Sequence, residues 1–317
     1  MSENPFPEQP QSDIVYDIAC LSDLQLCFAA RSSGLYRSTD GGASWGFAYA
    51  ALQLPEPLPT TSVVVSPDFA DDHTVLAGVA GGVLYSTDGG ATWSAAAVAT
   101  PPPAISMLAI SPAFREDGVL LASSTEDGIF RSASRGISWS RWNFGLLDLS
   151  VFCLAISPSF ADDETLFAGV ETGVFRSTNG GRAWREVDLP IGYEPVLSLA
   201  LSPDYTHDGV LFAGTETQGL LRSTDRGKTW QHVAQEWVAA PVNRIVLSSD
   251  FRESPAVLAL TEDGLLFSSD TGETWRRLSV DAENVTTVAA PQGLAPGAPL
   301  LLGTAAGEVL RVDLEPA

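Results

Sequence analysis

The chain is poor in basic residues and has no long apolar run. Of its 317 residues, 17 are Lys or Arg and 39 are Asp or Glu, so the formal net charge is −22 and Lys228 is the single lysine. Nucleic-acid backbones and anionic membrane surfaces select clustered basic residues, so we expect neither as the partner. No apolar run approaches the roughly 18 residues of a membrane-spanning helix, so we expect no membrane insertion.

The few cysteines and the first residues bear on the cellular compartment. Cys20, Cys27 and Cys153 are odd in number and form no CxxC or other metal-ligand spacing. The first ten residues, MSENPFPEQP, lack the basic stretch and the apolar stretch that a secretory signal peptide needs. We therefore expect a cytoplasmic protein with reduced thiols, in which Cys20 is a core thiol.

Helix-period patterns of useful length are also missing, although hydrophobic residues make up 45% of the chain. What is present is an internal repeat, Ser-x-Asp-x-Gly-x-x-Trp, whose tryptophans are 48, 46, 45, 46 and 45 residues apart. The copies contain, in order, Ser38, Asp40, Gly42 and Trp45; Ser86, Asp88, Gly90 and Trp93; Ser132, Gly136 and Trp139; Ser177, Asn179, Gly181 and Trp184; Ser223, Asp225, Gly227 and Trp230; Ser268, Asp270, Gly272 and Trp275. Such a steady period indicates a repeat architecture.

Each box belongs to a longer unit of four short apolar runs, which Gly, Pro and Asp separate. Four antiparallel strands every 40 to 50 residues or so are typical of a propeller blade. We therefore predict an all-β fold in which residues 1–317 form a single seven-bladed β-propeller. The predicted blades lie at approximately 13–50, 61–97, 104–143, 150–188, 195–234, 241–279 and 284–314.

The chemistry of the box favours a structural role. Asp or Asn accepts backbone N–H groups two residues on, and Gly supplies a positive φ, so the pair sets a tight turn. The tryptophan then buries a large ring against the neighbouring sheet. Two copies depart from the pattern. Asn179 keeps the acceptor, and Ser134, at the same position of the third box, is expected to weaken the turn.

The last blade has no box and supplies only three apolar runs. Its fourth strand is expected from the N-terminal segment before Ile14, which would close the ring. That segment holds Pro5, Pro7 and Pro10, and proline is tolerated only in an edge strand. A three-stranded last blade is the alternative.

The six boxes match the Asp-box (BNR) repeat, and the chain resembles the Asp-box propeller superfamily over roughly residues 13–314. That superfamily includes sialidases, xyloglucan-cleaving glycoside hydrolases, sortilin-type receptor domains and photosystem II assembly factors. The resemblance implies that the box turns lie on the face opposite the usual ligand site. The ligand face would carry the turns between the second and third strands and the connections between blades.

The resemblance does not carry over an activity. A sialidase has an Arg-Ile-Pro motif and an arginine triad; the motif is absent, and Arg37, Arg131, Arg176 and Arg222 occupy one repeated position before the box. These arginines are interpreted as blade-packing ion pairs. The xyloglucan-cleaving enzymes pair two propellers, and the assembly factors normally carry a targeting signal. Neither feature is found here.

Departures from the repeat are the candidate ligand-face residues. At one position near the start of the innermost strand, the blades have Asp17, Ser62, Met107, Cys153, Ser198, Arg244 and Thr287. The two charged residues, Asp17 and Arg244, either hold a polar ligand or satisfy each other, and the second reading is favoured. Glu126, Glu171, Glu216 and Glu262 form an acidic arc on four successive blades, suited to a basic peptide or a cation; the alternative is that they are solvated turn residues. Trp142 and Trp237 lie outside the boxes and either anchor a ligand on this face or pack at the edge of the core.

Catalytic and metal chemistry find little support. His73, His207 and His232 are far apart, so we expect no metal centre, and no cofactor motif is present. The acidic turns, with Asp68, Asp71, Asp72, Asp162, Asp163, Asp204 and Asp208, are either repeat features or weak calcium ligands. We predict a monomeric, non-catalytic binding or scaffolding module whose ligand is a protein or peptide. The alternative is a glycan-binding or glycoside-hydrolase-like protein that uses ligand-face carboxylates, among them Asp17.

Overall fold

The computed structural model describes residues 13–238 and 241–315. Over these residues the chain forms six four-stranded antiparallel sheets and one three-stranded sheet, which follow one another around a ring. The prediction of an all-β, seven-bladed propeller is confirmed. No helix in the described ranges is long and apolar enough to cross a membrane.

The strands share one order in every blade, from the centre of the ring outwards. In blades 1 to 3 they are β1 (Val15–Cys20), β2 (Cys27–Arg31), β3 (Gly34–Ser38) and β4 (Gly46–Phe47); β5 (Thr60–Val65), β6 (Val75–Val79), β7 (Gly82–Ser86) and β8 (Ser94–Ala96); β9 (Ile105–Ile110), β10 (Leu120–Ser124), β11 (Gly128–Ser132) and β12 (Ser140–Arg141). Blades 4 and 5 contain β13 (Val151–Ile156), β14 (Leu166–Val170), β15 (Gly173–Ser177) and β16 (Arg185–Val187); β17 (Val196–Leu201), β18 (Leu211–Thr215), β19 (Leu220–Ser223) and β20 (Gln231–Val233). Blades 6 and 7 contain β21 (Val242–Leu247), β22 (Val257–Thr261), β23 (Gly264–Ser268) and β24 (Arg276–Arg277); β25 (Val285–Ala289), β26 (Pro299–Thr304) and β27 (Val309–Asp313).

The first strand of each blade lines the centre of the ring. Each of these inner strands contacts the inner strand of the next blade, and β25 of blade 7 contacts β1 of blade 1, so the inner ring is continuous. Among the described residues, blade 7 has three strands. The predicted fourth strand from the N-terminal segment falls on residues 1–12, which lie outside the described residues, so its contribution stays a prediction.

The core is divided into layers between neighbouring blades, because each sheet buries both of its faces. Between blades 1 and 2, Phe28, Tyr49 and Trp93 pack edge to face, and all three side chains are buried. Equivalent clusters lie between the other blades, and β26 is buried along its whole length. Burial on both faces explains the continuous apolar runs of the second strands.

The Asp-box turn is held by its own side chains, as predicted. In blade 2, Ser86 Oγ accepts from Gly90 N at 2.8 Å, and Asp88 accepts from the backbone N–H and the hydroxyl of Thr92. These bonds, led by the Thr92 hydroxyl, lower the pKa of Asp88 to about 2. In blade 3, Ser134 Oγ accepts from Ser138 N at 2.9 Å, so a hydroxyl takes over part of the carboxylate's role.

The acidic turns between first and second strands form single helical turns that the sequence reading did not foresee. They are α1 (Phe69–Asp72), α2 (Phe114–Asp117), α3 (Phe160–Asp163) and α4 (Tyr205–Asp208), and a 3₁₀ turn lies at Ala50–Leu52. In the first, Asp72 accepts from the Ser66 hydroxyl at 2.7 Å and from Thr74 N at 2.9 Å. The same Ser and Asp pairing recurs in the other three turns, so the last Asp of each turn is structural.

The expectation of three reduced thiols is wrong. Cys20 and Cys27 stand opposite each other on β1 and β2 and are joined by a disulfide, with their Cα atoms 4.1 Å apart. Strand pairing brings the two together, which spacing along the chain does not reveal. Cys153 is the free cysteine; its thiol is buried, and burial raises its pKa to about 12.

Candidate ligand-binding face

The two faces of the ring differ in the loops that they carry. The turns between second and third strands and the connections between blades lie at one end of the strands, which we call the ligand face. The Asp-box turns and the helical turns α1–α4 lie at the other end, because consecutive strands are antiparallel.

The central channel has a volume of about 680 Å³. The inner strands that line it share a register irregularity at one point, and the position directly after it is the one singled out in the sequence. Asp17 and Arg244 both occur at this position and line the channel, together with Tyr16 and Asn243. The structure thus places Asp17 and Arg244 on the channel wall, at the repeat position that the sequence singles out.

Asp17 is buried and makes four interactions. Its Oδ1 accepts from Ile18 N at 3.0 Å and from the Arg244 guanidinium at 3.2 Å. Its Oδ2 accepts from the Ser62 hydroxyl and from Val63 N, both at 3.1 Å. The Arg244 side chain is 35% exposed, against 12% for Asp17. The two charges thus meet across blades 1 and 6, with Asp17 as the buried, saturated partner.

The Asp17 carboxylate also ends a hydrogen-bond chain across three blades. The Ser62 hydroxyl, which donates to Asp17, accepts from Leu108 N of blade 3 at 3.1 Å. Other inner-strand hydroxyls bridge neighbouring blades directly: Thr61 donates to Ile105 O at 2.6 Å, and Ser198 donates to Val242 O at 2.7 Å. These bonds belong to the structure of the channel wall.

The four glutamates of the acidic arc are all exposed. Glu126, Glu171, Glu216 and Glu262 lie in the turns between second and third strands of blades 3 to 6. None of them forms an ion pair within the described ranges, whereas the adjacent Asp127 pairs with Arg141 at 2.6 Å. The arc therefore presents uncompensated negative charge.

Exposed apolar side chains occupy the connections between the same blades. Trp237, in the connection from blade 5 to blade 6, is 42% exposed, as one of its two predicted roles requires. Tyr193, between blades 4 and 5, is 80% exposed, and Leu147, between blades 3 and 4, is 81% exposed. The sequence analysis did not single out Tyr193 and Leu147.

The connections also contribute carboxylates that fasten the neighbouring turns. Glu194, next to Tyr193, is buried and accepts from Thr217 N of blade 5 at 2.5 Å. Asp148, next to Leu147, accepts from Thr172 N of blade 4 at 3.0 Å. The exposed apolar side chains are therefore placed beside turns of fixed geometry.

Trp142 occupies a different place from Trp237. Its half-buried ring lies over the Arg131 guanidinium at 4.4 Å and beside that of Arg182 at 5.6 Å, against Gly181 of the box turn of blade 4. The residue therefore packs between blades 3 and 4 on the side of the Asp-box turns. Trp142 thus has the position expected of a residue that packs at the edge of the core.

The repeated arginines do not converge, and among the residues that the structure describes only Arg222 forms the expected ion pair. Arg222 is buried and lies 2.7 Å from Glu273 of blade 6, whereas Arg176 stacks over Phe167 at 5.6 Å. Burial, and then the nearby Arg182, lower the pKa of Arg131. In the ranges that the structure describes, no three His, Cys, Asp or Glu side chains are grouped so that they could hold a metal ion.

A model of the BNR/Asp-box repeat family matches residues 84–95 and 221–232, which include the box turns of blades 2 and 5. The chain is a seven-bladed β-propeller with BNR/Asp-box repeats. No curated protein matches the chain at a significant level.

Solved structures share the fold of this Asp-box propeller at low sequence identity. The extracellular domain of a one-component system from B. thetaiotaomicron is 14% identical, with a TM-score of 0.71 over 95% of this chain and 38% of that one. YCF48 bound to a D1 peptide is 17% identical, with a TM-score of 0.71 over 99% of both chains. The GH74 xyloglucanase from Xanthomonas campestris is 18% identical, with a TM-score of 0.70 over 94% of this chain and 51% of that one. The Asp-box propeller thus spans well under half of the first protein and about half of the xyloglucanase.

Proposed function

We propose that this Asp-box propeller is a binding module whose ligand face recognises a protein segment that carries both basic and apolar side chains. The observation that carries the proposal is the alternation, on blades 3 to 6, of exposed unpaired glutamates with exposed apolar residues. Glu171 and Glu216 lie on the turns on either side of the connection that holds Tyr193. Such a surface combines electrostatic attraction with apolar anchors.

The negative charge of the ligand face favours a basic ligand. Four carboxylates at equivalent positions of neighbouring blades repel one another, and a cationic ligand relieves that repulsion. Exposed pairs of this kind contribute only about 0.2–1 kcal/mol each, and salt screens them. They therefore act mainly on the rate and selectivity of association, whereas burial of an aromatic side chain supplies more of the affinity.

The likeness to YCF48 supports a peptide ligand over other classes. That structure contains a D1 peptide, and the alignment covers 99% of both chains. The alignment with the xyloglucanase leaves about half of that enzyme unmatched. A glycan-active site has a further difficulty, because the channel carboxylate, Asp17, is engaged by four donors and is not free for acid–base work.

The test uses a synthetic 12-residue or so fluorescent peptide that alternates Lys with Leu, and the same peptide with Glu in place of Lys. We expect the Lys peptide to bind and the Glu peptide not to bind. Changing Glu126, Glu171, Glu216 and Glu262 to Gln is expected to weaken binding at least about fourfold at low salt, from four pairs of about 0.2–1 kcal/mol each. Fluorescence anisotropy over a range of salt concentrations measures both effects.

The control is a protein with the same change of charge on the opposite face. Asp23, Glu116, Asp162 and Glu253 are exposed residues of the turns between first and second strands, and they are replaced by Asn or Gln. An equal loss of affinity in both proteins would mean that net charge alone attracts the peptide, and the proposal would fail. Trp237→Ala with Tyr193→Ala is expected to weaken binding about tenfold or more even at high salt.

A further inference from the structure

A groove between blades 4 and 5, on the outer part of the ring, gathers cationic side chains in this strongly acidic protein. It has a volume of about 540 Å³. The groove is lined by Arg176, Thr178, Asn179, Arg185 and Lys228, among others. Lys228 is the only lysine of the chain. The groove is separate from the acidic arc of the ligand face.

The strand register places two guanidinium groups side by side. Arg176 on β15 pairs with Arg185 on β16, so both side chains leave the same face of the sheet, towards blade 5. Arg176 stacks on Phe167, and its buried Nε has no hydrogen-bond partner. In the described part of the chain, neither arginine nor Lys228 forms an ion pair. Two cations directly opposite each other on a sheet destabilise it.

The next pair of blades shows how the repeat normally compensates this arginine. Arg222 of blade 5 is the equivalent of Arg176, and it donates to Thr271 O at 2.8 Å. It also lies 2.7 Å from Glu273, the residue after Gly272 of the following box. The residue at this box position that faces Arg176 is Lys228. A carboxylate at one blade interface is therefore replaced by an ammonium group at the other.

The preceding pair of blades also compensates its cations. Arg131 of blade 3 faces Arg182, the equivalent of Lys228, with the Trp142 ring beside both guanidinium groups. Arg182 pairs with Glu164 at 3.1 Å. Blade 5 has Gly209 where blade 4 has Glu164, and blade 4 has Val187 where blade 3 has Trp142. The equivalent positions between blades 4 and 5 therefore supply neither a carboxylate nor an aromatic ring to compensate the cations.

The box of blade 4 has lost its negative charge at the same place. Asn179 stands where four of the other boxes have Asp, and Ala183 stands where those boxes have the Ser or Thr that donates to that Asp. The side-chain oxygen of Asn179, Oδ1, still accepts from the Ser177 hydroxyl and from Ala183 N, and these two bonds keep the turn closed. Its amide group then adds an N–H donor to the groove lining.

We propose that this groove binds a phosphate-type oxyanion, either free or carried by a larger ligand. Two arginines and a lysine supply about three positive charges, and the Asn179 amide and Thr178 add neutral donors. Paired guanidinium groups with ammonium support match the geometry and charge of a tetrahedral dianion. Glu186 and Asp188 also line the groove and are exposed, so they weaken the site without neutralising it. The repeated arginine, a packing residue elsewhere in the ring, becomes a ligand-binding residue here.

Isothermal titration calorimetry of the whole protein with inorganic phosphate, at constant ionic strength set by sodium chloride, tests the site. We expect saturable binding to one site per chain, and binding at least about tenfold weaker in Lys228→Glu, which restores the charge found at Glu273. Lys228 is exposed, so this variant is expected to fold. A phosphoserine peptide and its unphosphorylated form, titrated in parallel, distinguish a carried phosphate from a free one.

Two further variants make the result decisive. Arg252→Glu changes the net charge equally at an exposed residue of blade 6 and is expected to leave phosphate binding unchanged. Glu273→Lys removes the partner of Arg222 and is expected to create a second, weaker phosphate site. If wild type shows no saturable binding, or if Arg252→Glu and Lys228→Glu lose it equally, the proposal is overturned.

Discussion

The Asp17 carboxylate is predicted to be the most sensitive charged group of the channel. Replacing Asp17 by Ala leaves two backbone N–H groups and the Ser62 hydroxyl without their acceptor, and Arg244 without its partner. An unsatisfied buried donor costs about 1–3 kcal/mol, and the replacement leaves three such donors, whereas Arg244 keeps partial access to solvent. We expect a loss of about 3–5 kcal/mol in the free energy of unfolding, because these costs share the same groups and do not add.

The two partners of this pair should respond unequally. Arg244→Ala leaves Asp17 with three donors, and the arginine is 35% exposed, so we expect a loss of only about 1 kcal/mol. Ser198→Ala, which removes one bond to Val242 O at the equivalent position of blade 5, serves as the control, with an expected loss of about 1 kcal/mol. Urea unfolding followed by tryptophan fluorescence measures all three variants. An effect of Arg244→Ala as large as that of Asp17→Ala would refute the reasoning.

Two other predictions follow from the pKa values and the cysteines. The pKa of Asp40, Asp88 and Asp225 is about 2 in the folded protein against an ordinary 3.8, so their stabilisation is complete above about pH 4 and is lost as the pH falls towards 2. Asp88→Asn with Thr92→Ala, the pair found in blade 4, should flatten the fall of the urea midpoint between pH 4 and 2; an unchanged slope would contradict this assignment. Thiol titration should find no reactive cysteine in the native protein, one after unfolding without reductant and three with reductant, since Cys20 and Cys27 are joined and Cys153 is buried. Three thiols in the unfolded, unreduced protein would rule out the disulfide.

Asp17 and Arg244 show what the internal repeat can predict and what it cannot. Aligning the internal copies was enough to place both residues at one level of the channel, because equivalent residues of a propeller occupy equivalent positions around its axis. The alignment did not show that the two side chains meet. Whether they meet depends on the distance across the channel between blades 1 and 6, which are separated by blade 7. Nor did the alignment show that Asp17 is saturated by neighbours from blade 2.

The sequence did not predict the groove between blades 4 and 5 either, because the groove also depends on contacts between blades. Each of Arg176, Arg185 and Lys228 is unremarkable in its own blade, and the charge cluster exists only because one sheet packs against the next. Comparison of the copies held a usable signal, the replacement of Glu273 by Lys228 at one box position. Its meaning required the observation that Arg222 pairs with Glu273 across the interface.

By itself, the sequence determined the strand content, the number of blades, the turn chemistry of the boxes and which end of the blade carries the acidic arc. These features are local or periodic, so short-range hydrogen bonding and alternation specify them. Only the tertiary structure decided which side chains face each other across blades, that Cys20 is bonded to Cys27, and that Trp142 packs beside the box of blade 4. Such contacts depend on the twist of each sheet and the packing of its neighbour, and neither is encoded in the spacing of residues along the chain.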